Sequence, residues 1–125
     1  MLGLARELTA RGHDAVTSEQ FHALVASAFA PYAPETALAS ALREDWLRGR
    51  GDKSAALSLG WAREQVRLAL VEALGRARGA GLVRTDTDPD TLGWLWLAAC
   101  EALAHEVPGA VTDRVQAFAA FLAPS

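Results

Sequence analysis

An all-α fold is predicted by the composition and by the spacing of helix breakers. Ala, Leu, Arg and Glu dominate the 125 residues, and all four favour helices. The alternation of apolar and polar residues that marks strands is absent from the sequence. Glycines and prolines divide the chain into about six helical segments, which we expect to form an antiparallel bundle in one domain spanning residues 1–125.

The first two helices have recognisable ends. The first is predicted over Leu2–Arg11, with Gly12 ending it. Thr17 or Ser18 can cap the second helix, and Gln20 follows Thr17 at the spacing of a capping box. Pro31 stops this helix.

The third and fourth helices are bounded by proline and glycine. Pro34 fits the first turn of the third helix, and Gly49 and the residues that follow break it. The fourth helix is the longest, over Lys53–Ala80, and Gly81 suits a left-handed cap at its end. Apolar residues lie on two of its faces, so we expect it to be the central helix and to be packed on both sides. One stripe holds Leu57, Trp61, Leu68 and Val71, and the other holds Leu59, Val66, Leu70 and Leu74.

The fifth helix has the clearest start in the chain. Asp88 can cap it, Pro89 fits its first position, and the helix is predicted to reach about His105. Pro108 and Gly109 form the next turn. The sixth helix follows, with an apolar stripe formed by Val111, Val115, Phe118 and Leu122.

Composition and charge exclude several classes of protein. An apolar share of 51% is too high for a disordered chain. No apolar run approaches the roughly 20 residues of a membrane helix, and no secretory signal is present, so we expect a soluble cytoplasmic domain with no membrane partner. The net charge of −3 disfavours nucleic-acid binding by this chain alone, because phosphates require a basic face.

The residues that commonly carry catalysis form no established motif. Glu101 and His105 lie one helical turn apart and could move a proton, although such pairs are more often structural. Cys100 lies among alanines and is expected to be a small buried side chain. A phosphate-binding loop, a nucleophile elbow and a two-histidine metal spacing are all absent from the sequence. We therefore expect no enzyme activity, no catalytic residues, no metal and no cofactor.

Four tryptophans are the most informative residues of the chain. They either fill the core or line a cavity for a small ligand between the helices. The candidate ligand-binding residues are Phe21, Val25, Phe29, Trp46, Trp61 and Trp94.

The last two helices carry more apolar surface than one small domain requires. Trp94 and Trp96 point about 200° apart on a helix and serve different surfaces. One stripe can face the core and the other an interface, and two helices from each of two subunits would form a four-helix bundle. The candidate residues of a homodimer interface are Leu92, Leu95, Trp96, Ala99, Leu103, Val115, Phe118 and Leu122.

The stretch 73–103 resembles the C-terminal domain of the tetracycline-repressor (TetR) family of transcription regulators. The matching features are Ala80–Gly81 at a helix end, the acidic connector with Asp86 and Asp88–Pro89, and the apolar helix Leu92–Leu103. The resemblance implies an effector-binding and dimerisation domain whose last two helices form the dimer. It also implies a cavity among the second to fifth helices for an apolar or aromatic small molecule.

Members of that family begin with a three-helix DNA-binding module. The first 30 residues here lack the basic, glycine-turned recognition segment of a helix-turn-helix. Either the chain is a C-terminal fragment, or it is a regulator-like domain without a DNA reader. The alternative function is a helical protein-interaction or adaptor module that binds no ligand, which would lack a pocket above roughly 300 Å³.

Overall fold

The computed structural model describes residues 2–14, 17–48 and 53–124. Within these ranges the regular structure is entirely helical, which confirms the predicted all-α class. None of the helices in these ranges combines the length and apolar character needed to cross a membrane. The helices are α1 (Leu2–Asp14), α2 (Ser18–Phe29), α3 (Ala37–Arg48), α4 (Lys53–Gly79), α5 (Pro89–Leu103) and α6 (Val111–Leu122), with 3-10 turns at Ala30–Tyr32 and Pro108–Ala110.

Helix α2 begins with the predicted capping box. The backbone N–H of Gln20 donates to the Thr17 hydroxyl at 3.1 Å, and the Gln20 side chain accepts from the Thr17 N–H at 3.0 Å. Two backbone donors that the helix cannot use are thereby satisfied.

Helix α4 ends in the predicted left-handed glycine. Gly81 has φ of 74°, a conformation that glycine adopts without steric cost. The Leu82 N–H donates to the Ala77 carbonyl at 2.9 Å, and the Gly81 N–H donates to the Arg78 carbonyl at 3.1 Å. This is the Schellman pattern, which satisfies the last carbonyls of the helix and turns the chain toward α5.

Two predicted helix ends are wrong, each for a local reason. Helix α1 continues through Gly12 to Asp14, since one glycine costs only about 1 kcal/mol in a helix that is already packed. Helix α3 begins at Ala37 rather than at Pro34, because the Thr36 hydroxyl accepts the Ala39 N–H at 3.2 Å and caps the helix there. The predicted break at residues 49–52 lies outside the described residues.

Helix α4 lies at the centre of the domain, as predicted. Its most extensive packing is against α1 on one side and α5 on another, while α2 packs against α1 and α6. Its inward stripe of Val66, Leu70 and Leu74 is buried. The prediction that both apolar stripes are packed is wrong for Leu57, Trp61 and Leu68, which are 75%, 56% and 46% exposed on the opposite face.

Candidate functional site

Two tryptophans of α5 lie on opposite sides of the helix. Trp96 is fully buried, and its ring is edge-on to Phe21 with the two centroids 6.2 Å apart. Trp94 is 61% exposed. The rotation of α5 is fixed at Gly93, where an added Cβ would collide with the Val71 side chain of α4. This close approach turns the Trp96 side into the core and the Trp94 side toward solvent.

An open apolar groove of about 450 Å³ lies between α5 and α6. Phe29 and Leu103 are buried and form its floor. Phe118 lies at the centre of an aromatic cluster, with ring centroids 5.6 Å from Phe29 and 5.7 Å from Phe121. The remaining lining residues are Ala99, Ala102, Glu106, Arg114 and Ala117.

The groove continues into an exposed stripe on the outer side of α5. Trp94, Ala98 and Ala102 follow each other at a spacing of four residues, so they share one face of the helix, and all three are exposed. Because Ala102 also lines the groove, the two surfaces join. We refer to Trp94, Ala98, Ala102, Ala117 and Phe121 together as the α5–α6 face.

A salt bridge between Glu106 and Arg114 lies at the rim of this groove. The hydrogen bond from the Arg114 guanidinium holds the pKa of the Glu106 carboxyl below its usual range. The rim therefore presents one fixed negative and one fixed positive charge, while the floor and walls are apolar.

The end of α6 is held by Arg84, which lies in the connector before α5. Its backbone N–H donates to the Leu122 carbonyl at 2.8 Å, and its guanidinium donates to the Phe121 carbonyl at 3.2 Å. The guanidinium carbon is also 4.5 Å from the centre of the Phe121 ring, at cation–π distance. These contacts fix Phe121 at the edge of the α5–α6 face.

A second apolar groove, of about 330 Å³, lies on the other side of α6. It shares Phe29 and Leu103 with the first groove. Helix α6 therefore lies over α2 and α5 as a ridge with an open groove on each side. The other lining residues are Ala26, Ala30, Ala33, Val111, Thr112, Val115 and Gln116.

A smaller pocket of about 240 Å³ lies among α3, α4 and α5, and its lining is polar on one side. Arg63 of α4 and Glu101 of α5 form a two-point salt bridge, with N–O distances of 2.6 and 2.7 Å. This hydrogen bonding raises the pKa of Arg63 and keeps it a cation. The other lining residues are Leu42, Asp45, Leu59 and His105.

The buried hydroxyl of Tyr32 interacts electrostatically with both members of this salt bridge. The residue is fully buried, and its hydroxyl finds no hydrogen-bond partner among the described residues. Burial raises the pKa of Tyr32 well above its usual range, and the nearby Cys100 thiol and Glu101 carboxylate raise it further, while Arg63 opposes them. Unpaired buried hydroxyls are uncommon in native proteins, which makes Tyr32 unusual.

The structure does not bring the candidate ligand-binding residues together. Phe21 and Val25 are buried in the packed core, and Trp61 and Trp94 are exposed on the outer faces of α4 and α5. The Trp46 side chain lies outside the described part of the chain. Phe29 does line a concavity, since both grooves beside α6 contact it.

The candidate interface residues divide into two groups. Leu92, Trp96, Leu103 and Leu122 are buried inside the chain's own core. Leu95, Ala99, Val115 and Phe118 are partly buried at the edge of that core. The outward stripe of α5 is therefore the one that carries Trp94, whereas Trp96, a candidate interface residue, is buried in the core. Gly93 was the signal in the sequence, because a glycine inside an apolar helix often marks a close approach to another helix.

Glu101 and Cys100, which could in principle carry catalysis, take part in structural contacts. Both carboxylate oxygens of Glu101 accept hydrogen bonds from Arg63, so Glu101 does not form an isolated pair with His105. Cys100 is buried, as expected, with its sulfur 3.7 Å from the Ala28 carbonyl, and burial raises the pKa of its thiol. No group of three potential metal ligands occurs within the described ranges.

Comparisons with known proteins give no relatives for this chain: no family model, curated protein or solved structure matches it. The candidate site therefore rests on the geometry of the chain itself.

Proposed function

We propose that the chain is the effector-binding and dimerisation domain of a TetR-like transcription regulator, acting as a cytoplasmic homodimer. The observation that carries this proposal is the α5–α6 face. It joins the last two helices of the chain and exposes 61% of Trp94 and 40% of Phe121. Contiguous exposed apolar surface on a monomer usually marks an interface.

A second copy of the chain is the occupant that best fits this face. Small residues at Ala98 and Ala102 allow a second helix to approach α5 closely. The rim carries Glu106 and Arg114, one charge of each sign, so a two-fold related copy would present the opposite charge to each. Two copies of α5 and α6 would then form a four-helix bundle.

The groove between α5 and α6 supports the effector part of the proposal. Its volume of about 450 Å³ falls within the range of small-molecule pockets, and its floor is aromatic and aliphatic. A second copy across the face would enclose this open groove. An apolar or aromatic effector bound there would favour one arrangement of the dimer, which is how binding could be passed to attached DNA-binding modules.

The alternative is a protein-interaction module without an effector. The exposed stripe of Leu57, Trp61 and Leu68 on α4 favours it, because this stripe lies on the other face of the helix from the core. The two functions use different surfaces, so substitutions can separate them.

The proposal is tested by placing a charge in the α5–α6 face. Ala102→Arg puts a long cation at an exposed position in the groove, where it should not affect the protomer fold. Ala10→Arg, at an exposed position of α1, is the matched control. Light scattering at micromolar concentration should give a dimer for the control and a monomer for Ala102→Arg. A dimer that survives in Ala102→Arg, with unchanged helical circular dichroism, would exclude this face as the interface.

A further inference from the structure

The indole of Trp96 carries a buried hydrogen-bond donor that the fold does not use. Trp96 is fully buried, and its Nε1–H finds no acceptor among the described residues. An indole N–H can only donate, so it needs an acceptor wherever it is shielded from water. Buried polar groups without a partner are uncommon in native proteins, because leaving one unpaired costs free energy. A ligand that brings an acceptor to this donor would therefore bind favourably.

This tryptophan lies next to the groove between α5 and α6. Trp96, Ala99 and Leu103 follow one another at spacings of three and four residues, so they share one face of α5. Ala99 and Leu103 line the groove, and the same face of the helix continues to Trp96. The Phe118 ring also lines the groove and lies against the indole, with the two ring centroids 6.3 Å apart. Phe118 therefore stands between the open groove and the buried indole.

Phe118 is placed so that its ring can be displaced. Its side chain is only partly buried, and it borders an open groove of about 450 Å³ into which the ring can turn. Leu122, near the end of α6, is the one buried residue of that helix. A movement of the Phe118 ring therefore does not require any other residue of α6 to leave the core.

The surroundings of the indole define the chemistry of a ligand that could reach it. Phe29 and Leu103 form the floor of the groove, so the body of the ligand is apolar or aromatic. A hydroxyl group would bring a donor of its own, which these apolar surroundings would leave unpaired. A carboxylate would become a buried charge with one neutral donor as its partner, which is costly. A neutral carbonyl oxygen accepts from the indole N–H without either penalty.

We propose that the groove binds an aromatic molecule with a neutral carbonyl group, which displaces the Phe118 ring and accepts a hydrogen bond from Trp96 Nε1. This inference rests on the proposed effector role of the groove and names the chemical class of the effector. An apolar molecule without an acceptor gains no hydrogen bond by displacing the ring. Phe118 therefore acts as a gate that selects for the carbonyl group.

Acetophenone and α-methylstyrene test the proposal, because they differ only in the CH2 group that replaces the carbonyl oxygen. Titration calorimetry gives the dissociation constant of each probe, and the ratio of the two constants isolates the contribution of the oxygen. Trp96→Phe keeps an aromatic ring and removes the donor. It should weaken acetophenone binding relative to α-methylstyrene binding about tenfold, as expected for the loss of one hydrogen bond.

Phe118→Ala tests the gate and leaves the buried tryptophan in place, so it still decides the question if Trp96→Phe fails to fold. It should shift the ratio toward acetophenone about threefold or more, because aromatic contacts no longer have to be broken. Phe121→Ala is the matched control, since it removes a ring that lines the same groove and contacts Phe118 rather than Trp96. It should leave the ratio unchanged.

Two results would overturn the proposed class of effector and leave the groove itself as a binding site. One is the same ratio in wild type and Trp96→Phe, and the other is the same ratio in Phe118→Ala and Phe121→Ala. If neither probe binds any of these proteins at millimolar concentration, this proposal and the effector part of the proposed function both fail. The dimer test with Ala102→Arg is independent of each of these outcomes.

Discussion

Gly93 of α5 lies against Val71 of α4 so closely that no side chain fits between them. We expect Gly93→Ala to destabilise the protomer by about 1–3 kcal/mol, the range found for overpacking in a core. Gly75→Ala on α4 is the control, because its Cβ meets nothing within 4 Å. Removing a helical glycine there should stabilise by about 0.5–1 kcal/mol. Urea denaturation measures both changes, and equal effects of the two substitutions would contradict this description of the contact.

The two tryptophans of α5 should differ in their contribution to protomer stability. Trp96→Ala removes a fully buried ring and is expected to cost about 3–5 kcal/mol. Trp94→Ala removes an exposed ring and should change stability by no more than about 0.5 kcal/mol. Both are best measured in an Ala102→Arg background, where dimer formation does not add to the result. A larger loss for Trp94→Ala than for Trp96→Ala would mean that α5 is rotated the other way.

The Tyr32 hydroxyl has no hydrogen-bond partner among the described residues, which gives an unusual expectation for a buried tyrosine. Removing a hydrogen-bonded hydroxyl normally costs about 1 kcal/mol, whereas removing an unsatisfied one relieves a desolvation penalty. Tyr32→Phe should therefore leave the urea midpoint unchanged or raise it. A clear loss of stability would show that the hydroxyl has a partner, such as a buried water.

Acid should weaken the start of α5. The Thr91 backbone N–H and hydroxyl donate to Asp88 at 2.9 and 2.8 Å, and the backbone bond is the main cause of the lowered pKa of Asp88. Since the folded pKa lies below the unfolded one, this stabilisation is complete above the unfolded pKa and is lost as the pH falls through the folded pKa.

We therefore expect the urea midpoint to fall as the pH is lowered from about 5 to about 3. Asp88→Asn should lose less over the same window, because asparagine caps the helix without titrating. Asp86 and Glu106 also have lowered pKa values, and they contribute equally to the acid destabilisation of the wild type and of Asp88→Asn. If the urea midpoint of Asp88→Asn falls as much as that of the wild type over this pH range, the titration of Asp88 does not cause the acid destabilisation.

Local signals in the sequence predict much of this fold. The capping box at Thr17, the cap at Asp88 and the left-handed Gly81 are each determined by a few neighbouring residues, and all three are found. The start of α3 is harder to predict, because Thr36, Pro31 and Pro34 offer competing signals within a few residues, and the Thr36 hydroxyl decides between them.

The rotation of α5 and the polar pocket could not be predicted from such local sequence signals. Both sides of α5 are apolar, so periodicity does not say which tryptophan faces inward, and only the packing of Gly93 against Val71 decides it. Arg63 and Glu101 are 38 residues apart, and only the antiparallel packing of α4 and α5 brings them together. The pairing of Arg63 with Glu101 depends on tertiary structure and leaves no local pattern in the sequence.

The oligomeric state of the wild-type chain tests the central claim most directly. If the α5–α6 face binds a second copy, sedimentation equilibrium at micromolar concentration should give about twice the 13.3 kDa of one chain. The mass should fall toward that of one chain on dilution or in Ala102→Arg. A mass of 13.3 kDa that does not change with concentration would contradict the proposed dimerisation domain.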